Sequence, residues 1–140
     1  MTETLTACRN GKDYIGDHFI AEFHGCDTSI LNDTEKISTI MNAAVEISGA
    51  TMIQPFFHRF SPHGISGIIV VAESHFAIHT WPEHAYAAVD IFSCGTFGYM
   101  EALRCISSSL KSGSYSVHRL KRGGISRNGA DSPDYERIIL

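Results

Sequence analysis

The sequence predicts an α+β fold, a two-layer sandwich in which helices cover one face of a mainly antiparallel sheet. Several segments alternate apolar and polar residues with the period of a strand, and two others repeat apolar residues at helical spacing. Short turns such as "SPHG" and "PEH" join successive strand segments. With 140 residues, 44% of them hydrophobic, the chain is long enough to bury one core, so we expect a single domain over residues 1–140.

The first strand is predicted over Asp17–Cys26, where the apolar residues Phe19, Ala21 and Phe23 occupy every second position, as on one face of a strand. A helix follows it. Asn32 has capping-box spacing to a glutamate, apolar residues then recur on one face, and Gly49 supplies the stop. The helical face comprises Ile37, Ile40, Met41, Ala44 and Ile47 or Ser48.

Three or four further strands are predicted within residues 50–60, 66–72, 74–81 and 86–94, then a second helix over about 99–111 and a last strand over 114–120. We summarise this order as βαβββαβ. Residues 1–16 and 125–140 are polar or rich in turn residues, so we expect flexible ends. Because the strands are apolar on both sides, the sheet face without helices needs a cover, which predicts a homodimer or a second sheet.

Charge and composition exclude several classes of protein. A net charge of -4 and a sequence pI near 6.0 argue against nucleic acid as a partner. The chain begins without the pattern of a secretory signal and has no apolar run of membrane-spanning length, so we expect no membrane partner and a cytoplasmic location. The four cysteines, Cys8, Cys26, Cys94 and Cys105, form no CxxC pair and are expected to be free thiols.

Chemistry is concentrated in "VVAESHFAIHTWPEHAYAAVDIFSCG", Val70 to Gly95. Serines and histidines in strands are often only polar-face residues. A zinc site would use His75, His79, His84 and Cys94, but positions four apart on a strand lie about 13 Å apart, too far to share one ion. A serine hydrolase would need a GxSxG elbow, which this segment lacks.

An intramolecular target is nearer to the Ser74 hydroxyl than an external substrate. Attack of the Ser74 hydroxyl on the carbonyl of Glu73 would replace the peptide bond by an ester. Elimination across the serine would then leave a dehydroalanine, which hydrolyses to a pyruvoyl group. A serine would thereby become a carbonyl cofactor within the chain.

The segment "ESHFAIHTWPEHAYAAVDIFSCG" resembles the self-processing, pyruvoyl-dependent S-adenosylmethionine decarboxylases of bacteria and archaea. The similarity also includes "GDHFIAEFHGC", "SGAT", "FHRFSPHGISG" and the later "RGG", so it extends over most of Gly16 to Gly124. It implies a carboxy-lyase that makes decarboxylated S-adenosylmethionine, the aminopropyl donor of spermidine biosynthesis. It also implies a homodimer of cleaved protomers and no metal or pyridoxal phosphate.

The resemblance assigns a role to each matching residue. Cleavage at Glu73–Ser74 gives fragments 1–73 and 74–140, and Ser74 becomes the pyruvoyl group that forms a Schiff base with the substrate amine. Ser66 and His79 match the family's processing residues, and an imidazole suits acid and base work at neutral pH. Cys94 matches the donor that protonates the alpha carbon. Glu83 matches the family carboxylate that holds the ribose hydroxyls, and Phe60 matches the ring that stacks on adenine.

Two questions stay open at this point. Strand alternation places Ser74 and His79 on opposite faces of the sheet, so the cleaved bond is expected to lie in a bend or turn. The segments "TFGYMEA" and "PEHAY" depart from the family's usual pattern beside Cys94 and Glu83. An arginine or ornithine decarboxylase, or an uncleaved relative without catalytic activity, are therefore the alternatives.

Overall fold

A seven-stranded antiparallel sheet organises the chain in a computed structural model, which describes residues 13–124 and 134–140. The strand order is β2-β3-β4-β5-β1-β6-β7, and every neighbouring pair is antiparallel. The strands are β1 (Tyr14–His24), β2 (Met52–Arg59), β3 (Ile65–Val71), β4 (Ser74–Trp81), β5 (Tyr86–Ser93), β6 (Ser114–Gly124) and β7 (Asp134–Ile138). The helices are α1 (Thr28–Leu31), α2 (Thr34–Ser48) and α3 (Tyr99–Ser109), with a 3-10 turn at Pro82–His84.

Helix α2 begins and ends on recognisable capping residues. The side chain of Asp33 accepts a hydrogen bond from the backbone N–H of Lys36 at 3.1 Å, so Asp33 is the N-cap rather than Asn32. Asn32 instead accepts a hydrogen bond from the backbone N–H of Gly64 at 3.1 Å. The helix ends at Gly49, whose φ of 79° is left-handed, as the sequence predicts. The junction before α2 is therefore tied to the turn between β2 and β3.

The core lies between the helices and one face of the sheet. Phe19, Ala21 and Phe23 of β1 are fully buried, and they face the helical layer that contributes Met41 and Leu103. Burial of each large apolar side chain stabilises the fold by about 1.5–3 kcal/mol. The α+β class and the two-layer arrangement are therefore confirmed.

The number of elements exceeds the predicted order. All four strand segments predicted between the two long helices form, which is one strand more than βαβββαβ contains. Helix α1 and strand β7 were not expected from the sequence, because each is only four or five residues long. β7 pairs with β6, and the backbone N–H of Leu140 donates to the Tyr115 hydroxyl at 3.0 Å. Residues 1–12, including Cys8, and residues 125–133 lie outside the described residues.

The sheet face away from the helices, which we call the open face, carries exposed apolar side chains. Ile20 lies opposite Asp90, Asp90 opposite Ala77, and Ala77 opposite Ile68, so one row crosses β1, β5, β4 and β3. Ile20 and Ile68 are 39% and 40% exposed, and Trp81 at the end of β4 is 41% exposed. Within the described part of the chain, no helix has the length and apolar character needed to cross a membrane.

Candidate active site

The bond between Glu73 and Ser74 lies at a tight turn. Val71 pairs with Ser74, so Ala72 and Glu73 form a two-residue connection between β3 and β4. The backbone N–H of Ala72 donates to the Thr51 carbonyl at 2.8 Å, and the backbone N–H of Thr51 donates to Glu73 Oε1 at 3.0 Å. The turn is therefore held against the segment that follows α2. The bend that the sequence requires at this bond is present.

Ser74 has a backbone conformation that is unfavourable for a residue with a side chain. Its φ is 151°, a positive value at a residue that is not glycine. Such a conformation costs on the order of 1–3 kcal/mol and persists only when neighbouring contacts hold it. The hydrogen bonds at Ala72 and Glu73 supply contacts of that kind. Cutting the chain at Ser74 would release this strain.

Cys94 lies directly beside the same peptide bond. Its backbone N–H donates to the carbonyl oxygen of Glu73 at 2.9 Å, and its Sγ is 3.1 Å from that oxygen. A donor aimed at a carbonyl oxygen stabilises the negative charge that develops there during nucleophilic attack. The arrangement brings Ser74 and Cys94 together at the start of β4.

Two neighbours fix the position of Cys94. The backbone N–H of Gly95 donates to Ser93 Oγ at 3.1 Å, and Ser93 is opposite Ser74 in the sheet. Gly16 allows β1 to approach closely, because a Cβ there would lie 2.7 Å from the Ser93 carbonyl oxygen and 3.2 Å from the Cys94 Cα. Neither Gly16 nor Ser93 was singled out by its sequence context.

The cysteines differ from expectation at one position. Cys26 and Cys105 are free, as the sequence predicts, and burial raises the pKa of the Cys26 thiol to about 11. Cys94, however, is disulfide-bonded, so the expectation of a free thiol is wrong there. Spacing without a CxxC pair could not reveal this contact, because it depends on the fold. A sulfur in a disulfide carries no proton, so Cys94 can act as a proton donor only when it is reduced.

Ser66 and His79 form a second pair. They are directly opposite each other in β3 and β4, and Ser66 Oγ is 2.7 Å from His79 Nδ1. Both side chains lie on the open face. A hydroxyl hydrogen-bonded to an imidazole can pass a proton in either direction, as the chemistry expected of these residues requires.

The two pairs do not meet within one chain. Ser74 and His79 are five positions apart on β4, which corresponds to about 17 Å. The register also places them on opposite faces, since Ser74 lies opposite the buried Ser93 while His79 lies opposite Ala88. The turn at Glu73 does not remove this separation. The single chain therefore carries two separate groups of candidate site residues, Ser74 with Cys94 and Ser66 with His79, which we call half-sites.

The Ser66–His79 pair opens into a cavity of about 260 Å³ that also holds Phe60 and Glu83. Four of the predicted site residues thus lie around one space. Glu83 Oε2 is 3.1 Å from Nε2 of His63. The pKa of Glu83 is lowered, first by a hydrogen bond to its own backbone N–H and further by His63, so Glu83 stays ionised.

Sequence reasoning missed three polar or aromatic residues of this cavity, of which His63 is the first. Thr80 and Trp81 are the others, and they follow His79 directly. Their position within "IHTWPE" was the available signal. The zinc set of the sequence does not assemble, since His75 and His79 are four positions apart on β4. His24 and His58 acquire no role.

Comparisons with known proteins agree with this geometry. A family model described as S-adenosylmethionine decarboxylase matches residues 17–123. The S-adenosylmethionine decarboxylase proenzyme of Pelotomaculum thermopropionicum is 47% identical over 112 residues, which cover 79% of this chain and 88% of that protein. The proenzyme of Thermosipho africanus is 54% identical over 81 residues, 58% of this chain and 62% of its own length, so that match spans less than two thirds of the relative.

Solved structures give the same picture. The crystal structure of the adenosylmethionine decarboxylase from Aquifex aeolicus superposes with a TM-score of 0.75 at 30% identity, covering 83% of this chain and 97% of that one. The AdoMetDC-delta26 monomer from Trypanosoma brucei superposes with a TM-score of 0.56 at 16% identity. That match covers 74% of this chain and 45% of the other, and it shows a shared fold.

Proposed function

Because the chain belongs to the S-adenosylmethionine decarboxylase family, we propose that it cleaves itself at Glu73–Ser74 and then decarboxylates S-adenosyl-L-methionine. One observation carries the proposal. The carbonyl of Glu73 lies in a tight turn, accepts the backbone N–H of Cys94 at 2.9 Å, and is followed by a serine with a φ of 151°. A polarised carbonyl beside a strained serine is suited to attack by that serine.

The proposed cleavage proceeds in three steps. Ser74 Oγ attacks the Glu73 carbonyl carbon, and the C–N bond breaks, which leaves an ester and a free amine. Loss of the Ser74 alpha proton then expels Glu73 as a carboxylate and leaves dehydroalanine. Water replaces the nitrogen, which departs as ammonia, and the product is a pyruvoyl group at the start of fragment 74–140. The Ser66–His79 pair supplies the acid and base for these proton transfers.

The open face supports a homodimer in which each site uses two chains. Ser74 and His79 cannot meet in one protomer, since about 17 Å of β4 separates them. The open face carries apolar side chains that a second sheet would bury. If a second copy packs on that face, its Ser66–His79 pair can approach the Glu73–Ser74 peptide bond at the start of this chain's β4. The two half-sites would then complete each other.

The remaining residues would bind the substrate and protonate the product. The pyruvoyl group, once formed, would supply the carbonyl that condenses with the substrate amine and withdraws electrons as carbon dioxide leaves. Phe60 would stack on adenine, and the ionised Glu83 would accept both ribose hydroxyls. Reduced Cys94 would return the proton to the alpha carbon. We expect a reducing cytoplasm as the location, because it keeps this thiol free.

Intact mass of the denatured protein tests self-cleavage, with Ser74→Ala as the control. We expect fragments 1–73 and 74–140, the second blocked by a keto group, and a single intact chain for the control. The cleaved protein should release carbon dioxide from S-adenosylmethionine, and Glu83→Ala should weaken substrate binding more than it impairs cleavage. Turnover of arginine or ornithine alone would refute the substrate, and a persistently intact chain would refute the mechanism.

Co-expression of two inactive variants tests the shared site. A His79→Ala chain retains Ser74, and a Ser74→Ala chain retains His79. In a mixed dimer one site contains both intact residues, so the His79→Ala chain should be cleaved only when the other variant is present. Absence of rescue in a mixed dimer isolated with two different tags would show that each chain processes itself.

A further inference from the structure

We propose that His18, Asp90 and His75 form a clamp that holds the start of fragment 74–140 in place after cleavage. His75 would then be a positioning residue for the pyruvoyl group formed from its neighbour Ser74. The inference rests on the proposed function, since it concerns a chain end that exists only after cleavage. None of the roles assigned above uses these three residues.

The clamp joins three adjacent strands on the open face. Asp90 Oδ2 accepts hydrogen bonds from Nε2 of His75 at 2.7 Å and from Nε2 of His18 at 2.9 Å. Phe92 of β5 is opposite both histidines, and its ring centroid lies 5.5 Å from that of His18 and 6.3 Å from that of His75. The side chain of His75 is thereby connected through β5 to β1, in the middle of the sheet.

A metal site is the competing interpretation of the same cluster. The three candidate ligand atoms lie within 4.8 Å of one another, close enough for a shared ion. Arg122 argues against it, because its Nη1 is 3.1 Å from Nδ1 of His18 and a guanidinium can only donate. Nδ1 must then accept, so Nε2 of His18 carries the proton and donates to Asp90. A protonated nitrogen is not a metal ligand, and the geometry is that of a hydrogen-bonded clamp.

Cleavage creates the need for such a clamp. Before cleavage, the turn and its bonds to Thr51 hold the start of β4. Afterwards Ser74 has lost both its link to Glu73 and its backbone nitrogen, so the strand begins with a group that cannot donate to the sheet. Free strand ends open locally at low cost unless side chains hold them. His75 is the first unaltered residue of the new chain, and its ring is already anchored.

The electrostatics of the cluster suit a permanent anchor. Burial opposes the ionisation of Asp90, but hydrogen bonds from His18 and His75 outweigh that effect and lower the pKa of the carboxyl below its usual range. Asp90 therefore remains a charged acceptor at neutral pH, and hydrogen bonds to a charged acceptor are stronger than neutral ones.

The test compares His75→Phe, which keeps a ring but no donor, with His75→Gln, which keeps an N–H donor for Asp90. His24→Phe is the matched control, because His24 of β1 also lies on the open face and its ring stacks on the ring of Tyr86. For His75→Phe we expect complete cleavage, a kcat at least tenfold lower, and a KM within threefold. His75→Gln should recover most of the kcat, and the control should behave as the unaltered enzyme.

Hydrogen exchange separates positioning from general stability. Amides of residues 75–78 should exchange at least tenfold faster in cleaved His75→Phe than in the cleaved unaltered protein. In the uncleavable Ser74→Ala background the same substitution should change them less than threefold. Equal effects in both backgrounds, an unchanged kcat, or Zn²⁺ binding that Asp90→Asn abolishes would each overturn the clamp. If the unaltered chain never cleaves, the proposed function fails and the clamp fails with it.

Discussion

Removing one buried hydroxyl, at Thr80, should weaken the fold and the cavity together. Thr80 Oγ1 donates to the Leu31 carbonyl at 2.8 Å and accepts the backbone N–H of Ile65 at 2.9 Å. It therefore joins α1, β3 and β4 at the point where Ser66 and His79 are paired. Thr80 is 5% exposed, and Ile65 and Leu31 are 1% and 0% exposed, so water cannot replace either hydrogen bond.

The magnitude follows from the two backbone groups left without a partner. Thr80→Val keeps the shape of the side chain but leaves one N–H and one carbonyl buried and unpaired, at about 1–3 kcal/mol each. We expect a loss of about 2–6 kcal/mol in the free energy of unfolding, a large part of its typical value of about 5–15 kcal/mol. Thr80→Ser keeps the hydroxyl and should lose only about 1 kcal/mol through the missing methyl group.

The assay is urea unfolding in the Ser74→Ala background, where every molecule remains one chain and the transition can be treated as two-state. A parallel measurement follows the rate of self-cleavage in the Ser74 background, which Thr80→Val should slow because the Ser66–His79 pair loses its support. The reasoning fails if Thr80→Val is no more destabilising than Thr80→Ser.

Three further predictions concern ionisable side chains. Enzyme purified without reductant should regain decarboxylase activity on adding dithiothreitol, because disulfide-bonded Cys94 has no proton to donate; activity independent of reductant would contradict this. His63→Gln should raise the KM roughly two- to fivefold without slowing cleavage, since His63 orients Glu83 from an exposed position, and an unchanged KM would contradict it. Burial, together with the hydrogen bond to Glu22, raises the pKa of Tyr86 to about 12. A raised pKa gives stability that is complete below about pH 10, the reference value, and is lost as the pH rises towards 12. The free energy of unfolding should therefore fall over that window, and it should fall less in Tyr86→Phe.

The periodicity of the sequence predicts most of the secondary structure. The strand at 74–81 has the predicted bounds, and the helix before Gly49 ends where the glycine permits a left-handed turn. Alternation also predicts that Ser74 and His79 face opposite sides of the sheet, and the register agrees. The short α1 and β7 escaped prediction because four or five residues carry too little pattern to be distinguished from a loop.

The sequence by itself determined the family and predicted the chemistry, because a Glu-Ser bond, a histidine and a cysteine lie within one short segment that resembles that family. Only the tertiary structure decided which of these groups meet. Strand pairing places Ser66 opposite His79 and Ser74 beside Cys94. It also connects His18 of β1 to His75 of β4 through their shared hydrogen-bond acceptor, Asp90 of β5. These contacts depend on the register between strands distant in sequence, which local periodicity does not encode, since each strand pattern repeats every two residues wherever it pairs.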